Sequence, residues 1–240
     1  MDYLLLNLSD ICFRYPGGKP VLDHLDFHLH AGDRIGLVAP NGSGKTTLFH
    51  VIMGLLKPDS GTVEAFGRPR KEEADFTEVR RRIGFLFQDA DDQLFSPTVL
   101  EDVAFGPLNL GKSRDEAIAV SRETLAFLGL EKFEDRVTYK LSGGEKRLVS
   151  LATVLAMQPE VLLLDEPSTG LDVGTKETLV KVLNELDLSL VLISHESDFL
   201  SRTTRHVYTL ENGRIFLDEE LPIHDHRHAH RSGRQPHRHV

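Results

Sequence analysis

The fold is decided by the stretch from Arg34 to Phe49, which reads RIGLVAPNGSGKTTLF. Its first residues, up to Val38, predict a short apolar strand, the glycine-rich part predicts a loop, and the residues from Lys45 onward predict an apolar helix. A strand, a glycine-rich loop and a helix N-terminus in this order are the setting of a phosphate-binding loop, or P-loop. The stretch therefore predicts an anion-binding site where the strand passes into the helix.

The residue types of this loop each suit a phosphate ligand. Gly42 and Gly44 let successive backbone N–H groups turn inward, and the helix N-terminus adds partial positive charge. Lys45 is expected to reach the β- and γ-phosphates, and the Thr46 hydroxyl is expected to bind Mg²⁺. Ala39 replaces the first glycine of the pattern G-x-x-x-x-G-K-S/T, which requires a negative φ at that position. The predicted nucleotide contacts are Asn41, Gly42, Ser43, Gly44, Lys45, Thr46 and Thr47.

The composition predicts a soluble globular chain with an acidic body. The 240 residues are 40% hydrophobic and 27% charged, and their formal net charge is −9. The last twenty residues are basic, with four arginines against Asp225, so the rest is more acidic still. Such a body gives no electrostatic reason to bind nucleic acid. The start Met1-Asp2-Tyr3 lacks a basic signal-peptide region, and no apolar run approaches the roughly 20 residues of a membrane helix, so a cytoplasmic chain is expected.

The patterning of the rest of the chain predicts an α/β fold with a mostly parallel sheet. Residues 3–15 and 21–29 alternate as an antiparallel hairpin, which predicts an N-terminal antiparallel β subdomain. Residues 98–157 predict mainly helices, too many for a simple crossover, so an inserted helical subdomain is expected at about residues 89–157. Strands and helices then alternate again and end in a hairpin.

Two carboxylates follow a fully apolar predicted strand. Asp165 is expected beside the P-loop, where it holds Mg²⁺ through its water shell, and Glu166 is expected to orient the water that attacks the γ-phosphate. Gln88 follows another buried strand and is expected at the same edge of the sheet, near Mg²⁺ or that water. The alternatives are a pair of acids capping a turn before Pro167 and a strand-end glutamine without a role.

These motifs, taken in order, resemble the ABC ATPases over residues 3 to about 218. The segment Leu141-Ser142-Gly143-Gly144-Glu145 is similar to the LSGGQ signature of that family. Four other features match its Q-loop, D-loop, switch histidine and stacking aromatic, and these are Gln88, Ser168 to Asp172, His195 and Tyr15. The resemblance implies an ATPase domain over residues 1–220 that uses ATP and Mg²⁺. Tyr15 is then expected to stack on adenine, with a hairpin-core tyrosine as the alternative.

The same resemblance implies a second ATPase subunit, either another copy or a paralogue. In ABC ATPases the signature helix faces the γ-phosphate held by the P-loop of the other subunit. Ser142, Gly143, Gly144, Glu145 and Asp172 are therefore expected to contact nucleotide across the pair, while Lys45, Gln88, Glu166 and His195 act in the reaction.

A finer resemblance lies in the segment from Phe85 to Asn109, which is similar to the ATPases of energy-coupling-factor importers, in particular those for cobalt and nickel. That family often has Asn-Pro where Asp89-Ala90 stands here. The resemblance implies transmembrane coupling and substrate-binding subunits and a peripheral place on the cytoplasmic face of the membrane. A vitamin importer of the same type and a soluble ABC ATPase not linked to transport are the alternatives.

Residues 221–240 form a histidine-rich tail that is expected to be disordered. His224, His226, His228 and His230 alternate, so they lie on one side of an extended chain or pair at i,i+4 on a helix. Either arrangement allows neighbouring imidazoles to share a borderline metal such as nickel, cobalt, zinc or copper. The alternative is a solvated tail without a role.

Overall fold

A computed structural model describes residues 3–217, which contain two β-sheets and seven α-helices. The strands are β1 Leu4–Arg14, β2 Pro20–His30, β3 Arg34–Val38, β4 Ser60–Ala65, β5 Arg68–Arg70, β6 Ile83–Leu86, β7 Val161–Asp165, β8 Ser189–Ile193, β9 His206–Glu211 and β10 Arg214–Leu217. The helices are α1 Lys45–Ile52, α2 Glu73–Arg82, α3 Val99–Asn109, α4 Arg114–Phe127, α5 Gly143–Leu155, α6 Val173–Glu185 and α7 Ser197–Thr203. The predicted α/β fold is confirmed. No helix within this range has the length and apolarity needed to cross a membrane.

The larger sheet brings the predicted site residues to one edge. Its strand order is β10-β9-β3-β8-β7-β6, and the pairs from β9 to β6 are parallel. All five residues of β7 and of β8 are buried, as expected for strands covered on both faces. Because the carboxyl ends of parallel strands meet at the same edge, the residues after β3, β6, β7 and β8 lie around one crevice.

The smaller sheet is antiparallel, with strand order β2-β1-β4-β5. Its predicted hairpin is confirmed, with Leu22, Leu25, Phe27 and Leu29 buried and His24, Asp26 and His28 exposed. The three-residue step from Leu22 to Leu25 arises because His24 adopts φ 53°, in the left-handed region. The sheet packs through this apolar face on α1 and on one side of the larger sheet.

The chain between β6 and β7 folds mainly as helices α3, α4 and α5. Each begins with a capping box, in which Thr98, Ser113 and Ser142 cap the first turns. Gly129, at φ 71°, ends α4 with hydrogen bonds from Gly129 N to Ala126 O and from Leu130 N to Leu125 O. These boundaries agree with the sequence-based prediction. Two short elements, β5 and α7, were not predicted.

Candidate functional site

The loop between β3 and α1 has the backbone geometry that its glycines predict. Gly42 and Gly44 have φ of 81° and 101°, in the region that favours glycine. A Cβ on Gly44 would lie 2.9 Å from Val21 Cγ1 and 3.0 Å from Val21 O, so β2 also requires glycine there. Ala39 is buried and is not among the described residues with positive φ. Alanine therefore fits the first position of the loop pattern without strain.

Three charged or polar side chains converge on the start of α1. Lys45 Nζ lies 3.3 Å from Glu166 Oε1 and 2.8 Å from His195 Nε2, and the same Glu166 oxygen lies 3.0 Å from His195 Nε2. Lys45 also donates to Ala39 O at 3.2 Å and to Asn41 Oδ1 at 3.4 Å. Glu166 is buried and adopts φ 48°, a strained conformation for a residue with a Cβ. The turn after β7 thus directs its carboxylate at the P-loop lysine.

The Thr46 hydroxyl and the Asp165 carboxylate form a hydrogen-bonded pair next to this cluster. Thr46 Oγ1 donates to Asp165 Oδ2 at 2.9 Å. The other oxygen of this buried carboxylate, Oδ1, is enclosed and has no hydrogen-bond partner among residues 3–217. Burial raises the pKa of Asp165, and the nearby Glu166 charge raises that pKa further. An enclosed carboxylate with an unpaired oxygen beside a hydroxyl is a donor set that fits a hard cation such as Mg²⁺.

The cost of this buried charge gives a stability prediction. Asp165→Asn is expected to raise the free energy of unfolding of the nucleotide-free protein by about 1 kcal/mol at neutral pH. Because the pKa of Asp165 is higher in the folded state than in the unfolded state, ionisation of this carboxylate destabilises the fold as the pH rises from the unfolded pKa toward the folded one. The stability gained by Asp165→Asn is therefore present at neutral pH and disappears below the unfolded pKa near 4. Denaturant unfolding at both pH values measures it, and a variant less stable than wild type at neutral pH contradicts it.

A cavity of about 740 Å³ adjoins the P-loop at the carboxyl edge of the larger sheet. Thr46, Gln88 and Asp165 line it together with Gly143 and Lys146 of α5. The structure thus brings exposed Gln88 to the same space as Thr46 and Asp165. A volume of this size is typical of small-ligand sites.

Arg147 holds the Gln88 segment in place and was missed by the sequence reasoning. Its buried guanidinium donates to Phe87 O at 2.6 Å and also to Gln88 O. Burial lowers the pKa of Arg147. The signal was weak because an arginine on a helix is usually a surface residue, and its partners lie 59 and 60 residues earlier in the chain.

Tyr15 lies beside the helix that follows the P-loop. Its hydroxyl is 3.1 Å from Thr47 Oγ1, and its ring makes an edge contact with Phe13 at a centroid distance of 5.0 Å. The residue is 45% exposed, so part of the aromatic ring remains accessible. This position leaves both of the predicted interpretations of Tyr15 open.

The two glycines of the signature segment differ in how closely other residues pack against them. A Cβ added to Gly143 would meet nothing within 4 Å, whereas one added to Gly144 would lie 2.9 Å from Thr175 Oγ1. Gly144 therefore allows α5 to approach α6, but packing within the described residues does not require glycine at Gly143. Ser142 and Glu145 form the capping box of α5, and Glu145 also pairs with Arg136 at 2.7 Å.

Asp172 has a comparable local role at the start of α6. Its carboxylate accepts from Thr175 N at 3.0 Å and from Thr175 Oγ1 at 2.6 Å. The carboxylates of Glu145 and Asp172 are thus engaged within the chain, and their contact with nucleotide stays a prediction. His224, His226, His228 and His230 lie outside the described residues.

The P-loop, the Thr46–Asp165 pair and the carboxylate beside Lys45 define a P-loop nucleoside-triphosphatase of α/β fold. A family model for the ABC transporter matches residues 22–169, and the chain belongs to that family. It is an ATP-binding enzyme that hydrolyses ATP in the service of transport.

Named relatives cover most of the chain. It is 53% identical over 236 residues to a protein of Nitratidesulfovibrio vulgaris named as an ABC transporter ATP-binding protein, covering 98% of this chain and 86% of that protein. It is 42% identical over 221 residues to the cobalt import ATP-binding protein CbiO of Rhodobacter capsulatus, covering 89% and 78%. It is 41% identical over 222 residues to the energy-coupling factor transporter ATP-binding protein EcfA of Methanocaldococcus jannaschii, covering 91% and 79%.

Solved structures show the same fold. CbiO1 of Clostridium perfringens, part of the ABC transporter complex cbiONQ, superposes with a TM-score of 0.80 at 33% identity, covering 90% of this chain and 88% of that one. A dimeric ATP-binding cassette in a post-hydrolysis state with ADP and Pi superposes with a TM-score of 0.82 at 27% identity, covering 91% and 99%.

Proposed function

We propose that this chain is the ATPase subunit of an energy-coupling-factor importer that carries a transition-metal ion, nickel or cobalt. Similarity to the cobalt import protein CbiO and to EcfA supports the class of importer. The alternating histidines from His224 to His230 support a metal cargo. The observation that carries the enzymatic part is the convergence of Glu166 and His195 on Lys45 Nζ. The competing proposal is a vitamin importer of the same type, in which the histidine tail is incidental.

The P-loop is the proposed phosphate site. The backbone amides from Asn41 to Thr47 and the Lys45 ammonium group are the proposed ligands of the β- and γ-phosphates of ATP. Thr46, Asp165 and Gln88 are the proposed holders of Mg²⁺, and the cavity they line supports this assignment. Bound Mg²⁺ would neutralise charge on the phosphate oxygens.

Glu166 and His195 are the proposed residues for the attacking water. The Glu166 carboxylate is buried and held by its contacts with Lys45 and His195, and its second oxygen accepts from Thr169 Oγ1 at 3.2 Å. A carboxylate fixed in this way can accept a hydrogen bond from water and orient its lone pair toward phosphorus. Positioning and charge stabilisation then supply most of the rate acceleration.

A second ATPase chain is the proposed source of the opposing signature helix. The open surface around Gly143 supports this arrangement, because the helix N-terminus carries unpaired N–H groups that suit a phosphate. The dimeric form of the similar cassette with ADP and Pi also supports it. Ser142, Gly143, Gly144, Glu145 and Asp172 then belong to the half of the site that acts on the partner's nucleotide.

Adenine stacking on Tyr15 gives a direct test of its proposed role. Tyr15→Ala is expected to weaken ATP binding by about 5- to 150-fold, because stacking of a base on an aromatic ring contributes about 1–3 kcal/mol. Tyr15→Phe keeps the ring and loses only the contact with Thr47, so its ATP affinity should stay within about 3-fold of wild type. Equilibrium titration with a fluorescent ATP analogue measures both. Equal losses in the two variants would assign the effect to the hydroxyl instead.

An exposed apolar surface next to the Gln88 segment is the proposed docking site for the membrane partner. Leu55, Phe95 and Phe105 are each about half or more exposed, and they line a groove of about 280 Å³ together with Met53 and Phe87. Phe95 and Phe105 pack edge to face at 4.8 Å. Exposed aromatic rings around a groove are typical of protein interfaces. This groove is the proposed contact of a peripheral subunit at the cytoplasmic face.

The proposed function is tested by purifying the chain with its membrane partners. The wild-type chain should co-purify with hydrophobic transmembrane coupling and substrate-binding subunits. Nickel or cobalt should be found in the purified assembly. Phe95→Ser combined with Phe105→Ser should lose most of this association while keeping ATP binding. Phe127→Ser, at an exposed ring on α4 outside the groove, is the matched control and should retain it. Recovery of a vitamin in place of a metal would replace the metal importer with the competing proposal.

A further inference from the structure

A group of metal-ligand side chains lies on the antiparallel sheet, apart from the ATP site. Cys12 on β1 and Asp23 and His24 on β2 each place a ligand atom within 4.8 Å of the other two. We propose that these three side chains form a binding site for a borderline divalent transition metal of the cobalt, nickel and zinc class. This inference stands independently of the proposed cargo.

The backbone is distorted where the three side chains meet. The pairing of β1 with β2 has register shifts between Leu8 and Ile11 and between Ile11 and Phe13. Asp10 and His24 adopt φ of 56° and 53°, although neither is glycine. Left-handed conformations of residues with a Cβ are strained and cluster at functional sites. The bulges turn Asp10 and His24 to the same side of the hairpin, where their side chains meet.

Hydrogen bonds orient two of the three proposed ligands. His24 N donates to Cys12 Sγ at 3.4 Å, which holds the sulfur next to the His24 backbone. His24 Nδ1 lies 2.5 Å from Asp10 Oδ1, which is the carboxylate–histidine pairing that commonly orients a metal ligand. Asp10 is therefore the positioning residue of this site. The proximity of Asp10 also raises the pKa of His24, so protons compete with the metal.

Asp23 is held in place from the other sheet. Its backbone N–H donates to Gly213 O at 3.0 Å, and Arg214 donates to Asp23 O and to Asp23 Oδ2, both at 3.1 Å. One oxygen of this carboxylate lies within 4.8 Å of the ligand atoms of Cys12 and His24. The turn between β9 and β10 thereby fixes the residue. Cys12 and Asp23 are partly exposed and His24 is exposed, which gives an ion access from solvent.

The donor set decides the class of metal. Thiolate and imidazole favour borderline metals over Mg²⁺ or Ca²⁺, and one carboxylate completes three protein ligands with water in the fourth position. Ligand atoms of a tetrahedral site with bonds of about 2.0–2.3 Å lie about 3.3–3.8 Å apart. The three ligand atoms lie within 4.8 Å of one another, so metal binding requires them to draw together by about 1 Å.

The single cysteine makes the site testable in the full-length protein. Cys12 is the only cysteine, so a thiolate-to-cobalt charge-transfer absorption on titration with CoCl₂ can arise only there and not from the tail histidines. We expect this band to saturate at one Co²⁺ per chain. Cys12→Ser should abolish it. His24→Ala and Asp23→Asn should weaken the Co²⁺ affinity read from the band at least about 10-fold, and Asp10→Asn about 10-fold.

Controls separate the site from loss of fold and from cysteine chemistry alone. His28→Ala, at an exposed histidine on the same strand, should leave the band and its affinity unchanged. Co²⁺ should also slow alkylation of Cys12 by iodoacetamide in the wild type and not in His24→Ala, with ATP binding kept in both. A band that is absent from the wild type, or one that is unchanged in both His24→Ala and Asp23→Asn, would overturn the proposal.

Discussion

Glu166→Gln is expected to bind ATP with an affinity close to that of the wild type and to hydrolyse it at least about 100-fold more slowly. The amide keeps the size of the side chain and one acceptor for Lys45 and His195, so the P-loop cluster should stay assembled. It loses the charge and the lone pair needed to orient the attacking water. Phosphate release under saturating ATP measures the rate, and nucleotide titration measures the affinity.

The control for this substitution is Glu177→Gln, which removes a carboxylate that pairs with Arg202 on the surface. Its rate should stay close to that of the wild type. The slow Glu166→Gln protein should also accumulate as an ATP-bound pair of ATPase chains, because ATP hydrolysis no longer lets the two chains separate. Light scattering measures this pairing. Hydrolysis at the wild-type rate in Glu166→Gln would remove Glu166 from the proposed mechanism.

Gly143→Asp is expected to lower hydrolysis by about 100-fold or more while leaving ATP binding to the P-loop intact. A Cβ at this position meets nothing within 4 Å, so the fold should tolerate the change. The new carboxylate would stand at a helix N-terminus that is proposed to face the γ-phosphate of a second chain, where two negative charges repel. Gly143→Ala adds only a methyl group and should keep more activity than Gly143→Asp. Undiminished hydrolysis in Gly143→Asp would contradict a shared site.

Mixing two inactive variants identifies the partner chain. A Lys45→Ala chain keeps its signature segment, and a Gly143→Asp chain keeps its P-loop. If two copies of this chain form the pair, a mixture should recover part of the hydrolysis that each variant lacks alone. If the mixture stays inactive while wild-type chain is active alone under the same conditions, the site is not shared between two copies.

Much of the fold can be predicted from local sequence patterns. Local sequence determines the backbone conformation in three places, and tertiary packing does not override it. These are the P-loop glycines, the alternating pattern of the β1–β2 hairpin, and the helix caps at Thr98, Ser113 and Ser142. The segments β5 and α7 were missed because they are short. Each presents only one to three buried residues, too few for a clear period.

For contacts between distant segments, the sequence predicts which residues take part through their motifs, but it does not predict the distances between them. Lys45 and Glu166 are separated by 121 positions, and Lys45 and His195 by 150, so their distances depend on how β3, β7 and β8 pair. The hydrogen bonds from Arg147 to the Gln88 segment depend on the packing of α5, and an arginine on a helix gives only a weak sequence signal. The cluster of Cys12 and His24 depends on bulges whose position follows from strand register rather than from local propensity.

The most direct test of the central claim is ATP-driven uptake by cells that contain this chain and the membrane subunits purified with it. Accumulation of labelled nickel and cobalt is compared for wild type, Glu166→Gln and a chain lacking residues 223–240, with labelled vitamins as alternative cargo. We predict that a metal accumulates with wild type, fails to accumulate with Glu166→Gln and accumulates more slowly without the histidine tail. Accumulation of a vitamin alone, or of metal at the wild-type rate with Glu166→Gln, would contradict the account.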